Sequence, residues 1–300
     1  FTPRPGMMVG LDFTQQYILK LGIIFLGIRL SFADFIKFGS IAIPLIIVCI
    51  LGVLILVKLL IKKVPISSKM SYLIAIGTSV CGATAIVATA PVINAKKSEV
   101  AYAIANITLF GVIAMLIYPY FAEWYFDGAA LNAGLFLGTS IHETSQVAAA
   151  GLIYDQQFNS PETLDAATVT KLIRNTFLVI LIPLFAYLYN RGELKGQNYS
   201  ILNIFPYFVL GFIGMIIVRN LGDQLFPLSS DKHAMWINLI GYLKTLATVF
   251  LTMAMAAVGI SINLGELKSM GYKPFVVGLI AAITVGIISL IYIETLNKLI

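Results

Sequence analysis

Two stretches decide how this 300-residue chain is read: GTSVCGATAIVATAP at 77–91 and GTSIHETSQVAAAG at 138–151. Each falls inside an apolar run of membrane-crossing length, at about 71–95 and 131–152. Yet each is built from Gly, Ala, Ser and Thr, and each begins with the tripeptide Gly-Thr-Ser. Small side chains let helices approach closely. They also let a helix break at membrane depth where its backbone lines a protein-enclosed space. One such segment reads most simply as tight packing. Two that share a tripeptide point to paired discontinuous segments around a substrate site near the midplane.

The rest of the composition places these stretches in a bilayer. Hydrophobic residues make up 59% and charged residues 11% of the chain, and the mean hydropathy is +0.93. A soluble domain carries about 25% charged residues, so this chain has too few to cover a water-facing surface. Apolar runs at about 14–36, 40–61, 71–95, 99–120, 131–152, 168–190, 202–220, 236–260 and 274–296 read as membrane segments of one transport domain. Cys49 and Cys81 both lie in apolar stretches and imply no disulfide framework. The net charge of +6 resides in short loops between spans, the placement expected of cytoplasmic loops, and argues against nucleic acid as a partner. The chain opens Phe1-Thr2-Pro3-Arg4 without an initiator Met, and N-terminal helices are expected to be missing from it.

Loop charges then set the topology. Lys58, Lys62, Lys63 and Lys69 precede the segment 71–95, and Lys96 and Lys97 follow it, so both of its ends belong on the cytoplasmic side. Between Lys97 and Lys171 there is no Lys or Arg, whereas Glu123, Asp127, Asp155, Glu162 and Asp165 flank 131–152 on both sides. Both of its ends therefore belong outside. A segment with both ends on one side is a re-entrant hairpin, and the charges propose two, entering from opposite faces; broken crossing helices are the alternative. Lys37, in a loop expected to be external, does not fit. A second signal is the ungapped match of GIRLSFADFIKFG at 27–39 with GISINLGELKSMG at 259–271, in which Asp34 is matched by Glu266. The two copies would run in opposite directions, the pattern of an inverted repeat. The expected fold is an all-α integral membrane protein with an inverted-repeat transporter architecture and two discontinuous segments.

Ionisable groups at membrane depth cost about 2.5–3.5 kcal/mol each on insertion scales and are functional candidates by default. The cations are Arg29, Lys171 and Arg174, with Lys20 and Lys244 nearer span ends. Lys171 and Arg174, three apart, share a helix face; they read equally as a substrate pair or as side chains snorkelling to the interface. Arg29 is a site cation or a structural partner of Asp34. His142 and Glu143 form an adjacent titratable pair suited to proton coupling, or a polar brace within the hairpin. The run His142-Glu143-Thr144-Ser145-Gln146 is close to a zinc motif, but Gln146 stands where the second His belongs, so no metal or other cofactor is expected. Thr78, Ser79, Thr139 and Ser140 lie at the expected helix breaks, where free backbone N–H groups and the positive end of a helix dipole bind oxyanions. Cys81 and Asn106 complete the candidate lining.

The blocks GTSVCGATAIVATAPVINAKKSEVAYAIANITLFGVIAMLIYP (77–119), GTSIHETSQVAAAG (138–151) and TKLIR (170–174) resemble the bacterial YeiH family of proposed sulfate exporters, and GIIFLGIRLS (22–31) fits the same family. Many of its members have Asp where Glu143 stands. The family is grouped with bile-acid and cation/proton antiporter folds, which implies a core that moves against a scaffold in the bacterial plasma membrane. The expected function is secondary transport of a small anion of the sulfate, sulfonate or carboxylate class, coupled to H⁺ or Na⁺, by an elevator-like alternating access. The expected partners are that anion, the coupling ion, the lipid bilayer and a second copy in a homodimer. A passive anion channel is the alternative, and an intramembrane enzyme using His142 and Glu143 a more distant one. No GxxxxGK[ST] phosphate loop is present.

Overall fold

The computed structural model describes residues 5–60, 64, 66–90, 93–178, 180–181, 184–185, 208–227, 232–261 and 272–299, and among these there is no strand. Helix α1 (Pro5–Phe13) continues through a π-helical turn, Thr14–Ile18, into α2 (Leu19–Leu26), which closes on the 3₁₀ turn Gly27–Arg29. There follow α3 (Phe32–Leu60), α4 (Ser68–Ser79), α5 (Ala83–Thr89), α6 (Lys97–Phe126), α7 (Ala130–Ser140), α8 (Thr144–Phe158) and α9 (Pro161–Thr176). The described chain ends with α10 (Phe208–Leu225), α11 (His233–Ser261) and α12 (Tyr272–Leu299). Phe35–Leu60, Ser98–Phe126, His233–Ala254 and Tyr272–Lys298 are long and apolar enough to cross a membrane. The chain is an all-α integral membrane protein.

The break expected at 37–39 lies instead at Leu30, whose backbone is extended (φ −98°, ψ 139°). Ser31 accepts the Phe35 N–H through its carbonyl, and Arg29, the last residue of the 3₁₀ turn, pairs with Asp155 and Asp165. Hydrophobicity alone cannot place such a break, because the sequence is apolar on both sides of it. The ninth helix likewise starts earlier than the apolar run at 168. Pro161 occupies its first turn, where a missing N–H costs nothing, and Thr163 donates to the Ala130 carbonyl at 3.2 Å.

Both small-residue segments fold back on themselves. In the first, α4 stops at Ser79, the chain turns through Val80–Gly82, and α5 returns. The Lys69 amine, at the start of α4, donates to the Asn94 carbonyl at 2.7 Å, just beyond α5, so both ends lie at the Lys-rich face. In the second, α7 stops at Ser140, residues 141–143 are non-helical, and α8 returns. The Tyr154 hydroxyl near the end of α8 reaches Glu123 at 2.5 Å near the end of α6. Thr163, just past α8, meets the start of α7. Both ends of this hairpin lie at the acidic face, and α6 runs the full distance between the two faces. Lys37, out of place by charge alone, sits 3.8 Å from Glu162 on this acidic face, in a pair that is half exposed on both sides.

Helix α9 packs along both arms of the second hairpin. A Cβ at Gly138 would stand 2.6 Å from the Thr170 side chain and 2.7 Å from the Ala167 carbonyl oxygen, so only glycine admits this approach. Helices α3 to α9 and α12 form one packed body whose main apolar core includes Leu45, Ile74, Ile107, Phe136 and Val285. Helix α2 packs instead with α10 and α11. Phe32 N–H to Asn220 Oδ1, 3.2 Å, places the end of α10 at the acidic face too. The second copy of the sequence repeat lies mostly outside the described residues, as do Lys62, Lys63 and residues 186–207 and 228–231.

The tip of the first hairpin depends on one glycine. Gly82 has φ +62° and ψ −122°, a region that residues with a Cβ avoid at a cost of about 1–3 kcal/mol. A Cβ there would also lie 2.5 Å from Glu143 Cγ, across the interface between the two tips. Gly82→Ala is therefore expected to lower the melting temperature and to displace Glu143. Gly10→Ala in α1, with open space around it, should leave the melting temperature within a degree or two of wild type. Equal melting curves for the two variants would contradict this account of the tip.

Candidate functional site

The two tips meet, and their four helix ends sort by polarity. Helices α4 and α7 arrive C-terminus first, presenting free carbonyls and the negative end of their dipoles. Helix α9 threads past them and delivers Lys171 and Arg174, both 0% exposed. The Lys171 ammonium donates to the carbonyls of Val80 at 2.8 Å, Ile141 at 2.9 Å, and His142. The Arg174 guanidinium donates through Nε to Ser79 at 2.8 Å, through Nη1 to Thr139 at 2.5 Å, and through Nη2 to Thr78. Two buried cations thus clamp the carbonyl ends of both hairpins. The clamp meets the requirement that a buried charge be hydrogen-bonded.

The opposite polarity gathers around Glu143. Its Oε1 accepts from the Ala83 N–H, in the first turn of α5, at 3.3 Å and from the Thr108 hydroxyl of α6 at 3.4 Å. Its carboxylate also caps α8 by accepting the Gln146 backbone N–H, while the Gln146 side-chain oxygen accepts the Glu143 N–H at 3.3 Å. The Gln146 amide reaches on to the Thr108 carbonyl at 3.2 Å. A carboxylate is therefore held on the N–H groups of both returning arms, where helix dipoles favour negative charge. In front of it lies a cavity of about 310 Å³, walled by Cys81, Thr84, Glu143 and Ser145 from the tips and by Lys20, Ile23 and Phe208 from α2 and α10.

Towards the acidic face the space beyond this cavity is filled. Leu26, Phe212, Ile216 and Leu251 pack against Leu152, Leu164 and Leu172 in one apolar cluster. Beyond it Arg29 bridges Asp155 of α8 at 3.4 Å and Asp165 of α9 at 3.0 Å, with side chains only 11–20% exposed. The cavity therefore has an apolar and ionic seal on its acidic side, made between α2, α10 and α11 on one hand and the hairpin body on the other.

The candidates from sequence divide accordingly. Glu143 and Cys81 line the cavity. Thr78, Ser79 and Thr139 supply carbonyls to Arg174, and the Thr139 hydroxyl meets Ser289 of α12 at 2.7 Å. The hydroxyls of Thr78, Ser79 and Ser140 and the Nδ1 of His142 are buried without a hydrogen-bond partner among the described residues. His142 and Glu143 do not form a pair directed at one space. The chain bends through residues 141–143 between the two helices. His142 is 2% exposed and is not among the cavity-lining residues. Asn106 donates to the Pro274 carbonyl at 2.9 Å and packs on Gly278, away from the cavity. Arg29 pairs with Asp155 and Asp165; the Asp34 side chain lies outside the described residues. Thr108, Gln146, Thr84 and Lys20 belong to the site and were not legible as such, although Gln146 three residues after Glu143 has the spacing of a capping box.

Fold and site together define a polytopic helical membrane protein organised around two opposed re-entrant hairpins. The chain belongs to the UPF0324 family of membrane proteins, the family to which the YeiH-like blocks point. A family model described as Conserved hypothetical protein 698 matches residues 4–278. A UPF0324 membrane protein of Fusobacterium nucleatum is 34% identical over 286 residues, 94% of this chain and 82% of the relative. One from Streptococcus agalactiae is 36% identical over 284 residues, covering 93% and 80%, and one from Yersinia pestis is 34% identical over 288, covering 92% and 75%. No solved structure matches the chain.

Proposed function

We propose that this protein is a secondary active transporter of a small oxyanion in the bacterial plasma membrane, working by alternating access and coupled to protons. The observation that carries the reading is Glu143, a carboxylate bound on the N–H groups of two returning hairpin arms at the edge of a cavity. A place that holds a carboxylate by helix N–H groups can hold a substrate oxyanion by the same groups. The two anions compete, so neutralising Glu143 by a proton favours substrate, and losing the proton expels it. Sodium is the less favoured coupling ion. The carbonyl ends, where a sodium ion would be coordinated, are already occupied by Lys171 and Arg174. The seal on one side of the cavity favours a transporter over an open channel, and the hairpin body moving against α2, α10 and α11 is the motion that would relocate it.

Proteoliposomes loaded with buffer and given an inward proton gradient provide the test. Uptake of labelled sulfate, ethanesulfonate or propionate should saturate and should run against the anion's own gradient. Linear flux that never exceeds equilibrium would establish a channel instead.

A further inference from the structure

Among the described residues that line the cavity, Lys20 is the sole cation and Glu143 the sole anion. The cations expected from sequence to meet an anion are engaged elsewhere: Arg29 with Asp155 and Asp165, and Lys171 and Arg174 with backbone carbonyls. Lys20 stands in the apolar run Leu19–Leu26, where a charge is costly unless it has a use. Its ammonium has no carboxylate within ion-pair distance among the described residues, and it lies 5.9 Å from the Tyr17 ring centroid. It shares the cavity with Thr84 and Ser145 of the tips and with the apolar side chains of Leu19, Ile23 and Phe208.

We infer that Lys20 is the substrate-facing cation, and that the site takes a monovalent oxyanion on a short organic tail, a sulfonate or carboxylate, in preference to a dianion such as sulfate. The inference rests on the anion-transport reading above and narrows it. With Glu143 ionised, the charges of Lys20 and Glu143 cancel; with Glu143 protonated, the walls carry one positive charge. A monoanion is then neutralised in full. A dianion would leave one of its charges without a partner on the cavity wall, because Lys171 and Arg174 are spent on backbone carbonyls behind the tips. The volume of about 310 Å³ is at the lower end of small-ligand pockets and exceeds what a bare tetrahedral anion fills. Leu19, Ile23 and Phe208 give a short tail a surface, while the head group meets Lys20 and the tip hydroxyls. A substrate so held touches α2 and both hairpins at once.

Isothermal titration of the purified full-length protein at mildly acidic pH, with sodium ethanesulfonate, sodium propionate and sodium sulfate, tests the inference. Wild type should bind the better monoanion at least about tenfold more tightly than sulfate, and Lys20→Gln should lose at least about tenfold for that monoanion while Lys20→Arg stays within about threefold. Ethanesulfonate ahead of propionate assigns a sulfonate; the reverse assigns a carboxylate. Lys20 is exposed, so the melting temperature of Lys20→Gln should match wild type. Sulfate binding more tightly than both monoanions, or Lys20→Gln binding like wild type, overturns this inference and leaves the anion reading standing. Failure of wild type to bind any of the three overturns both.

Discussion

Glu143→Gln should leave the protein folded and remove most of the pH dependence of anion uptake. The amide keeps an oxygen able to accept from Ala83 N–H and Thr108, and it keeps the volume, but it carries no charge at any pH. In wild type an ionised Glu143 occupies the helix N–H groups and repels an incoming anion, whereas a protonated one does not. Uptake therefore rises towards acid and falls towards alkaline pH. The charged groups that face this carboxylate are Lys20 across the cavity, from α2, and Lys171 behind the tip, from α9. The variant should show acid-like binding throughout, with alkaline-side affinity at least about tenfold above wild type, equivalent to about 1.4 kcal/mol. His142→Ala should leave the shape of the profile unchanged, because His142 does not line the cavity. Uptake measured at a series of pH values checks both, and a Glu143→Gln profile superimposable on wild type would falsify proton coupling through this residue.

Lys171→Met and Arg174→Met should each destabilise the protein severely. Lys171 satisfies three carbonyls and Arg174 at least three more, all at 0% exposure. Each of the three buried acceptors left unpaired costs about 1–3 kcal/mol, so either change should remove about 3–9 kcal/mol, a large part of ordinary net stability. Fluorescence-detected size exclusion after graded heating should show both variants melting well below wild type. If the cations instead met substrate directly, the variants would fold normally and lose only anion affinity. The two outcomes are distinct, and a wild-type melting curve for Lys171→Met would remove the clamp from the account.

What the sequence determined by itself was local in origin. Loop charges favour water, so a segment flanked by lysines on both sides, or by carboxylates on both sides, is expected to return to the face it entered. Gly-Ala-Ser-Thr composition marks where helices can approach and break. From these two facts opposed hairpins at 71–95 and 131–152 could be proposed, with broken crossing helices as the alternative; the fold-back of α4 on α5 and of α7 on α8 decided between them. The direction in which each polar side chain points was decided only by tertiary structure. Lys171 and Arg174 could have snorkelled or bound substrate; α9 instead passes the carbonyl ends of helices about ninety residues away in one case and about thirty in the other. His142 and Glu143 are neighbours in sequence, but only Glu143 lines the cavity. Thr108 replaces Asn106 at the site because the face of α6 that meets the second tip is set by packing. Lys20 gains its meaning from a cavity whose far wall is formed by residues 81–84 and 143–145. Helix breaks and flanking charge act over a few residues and can be read from them. A site assembled from four separate helices and two tips depends on packing, and no local signal encodes it.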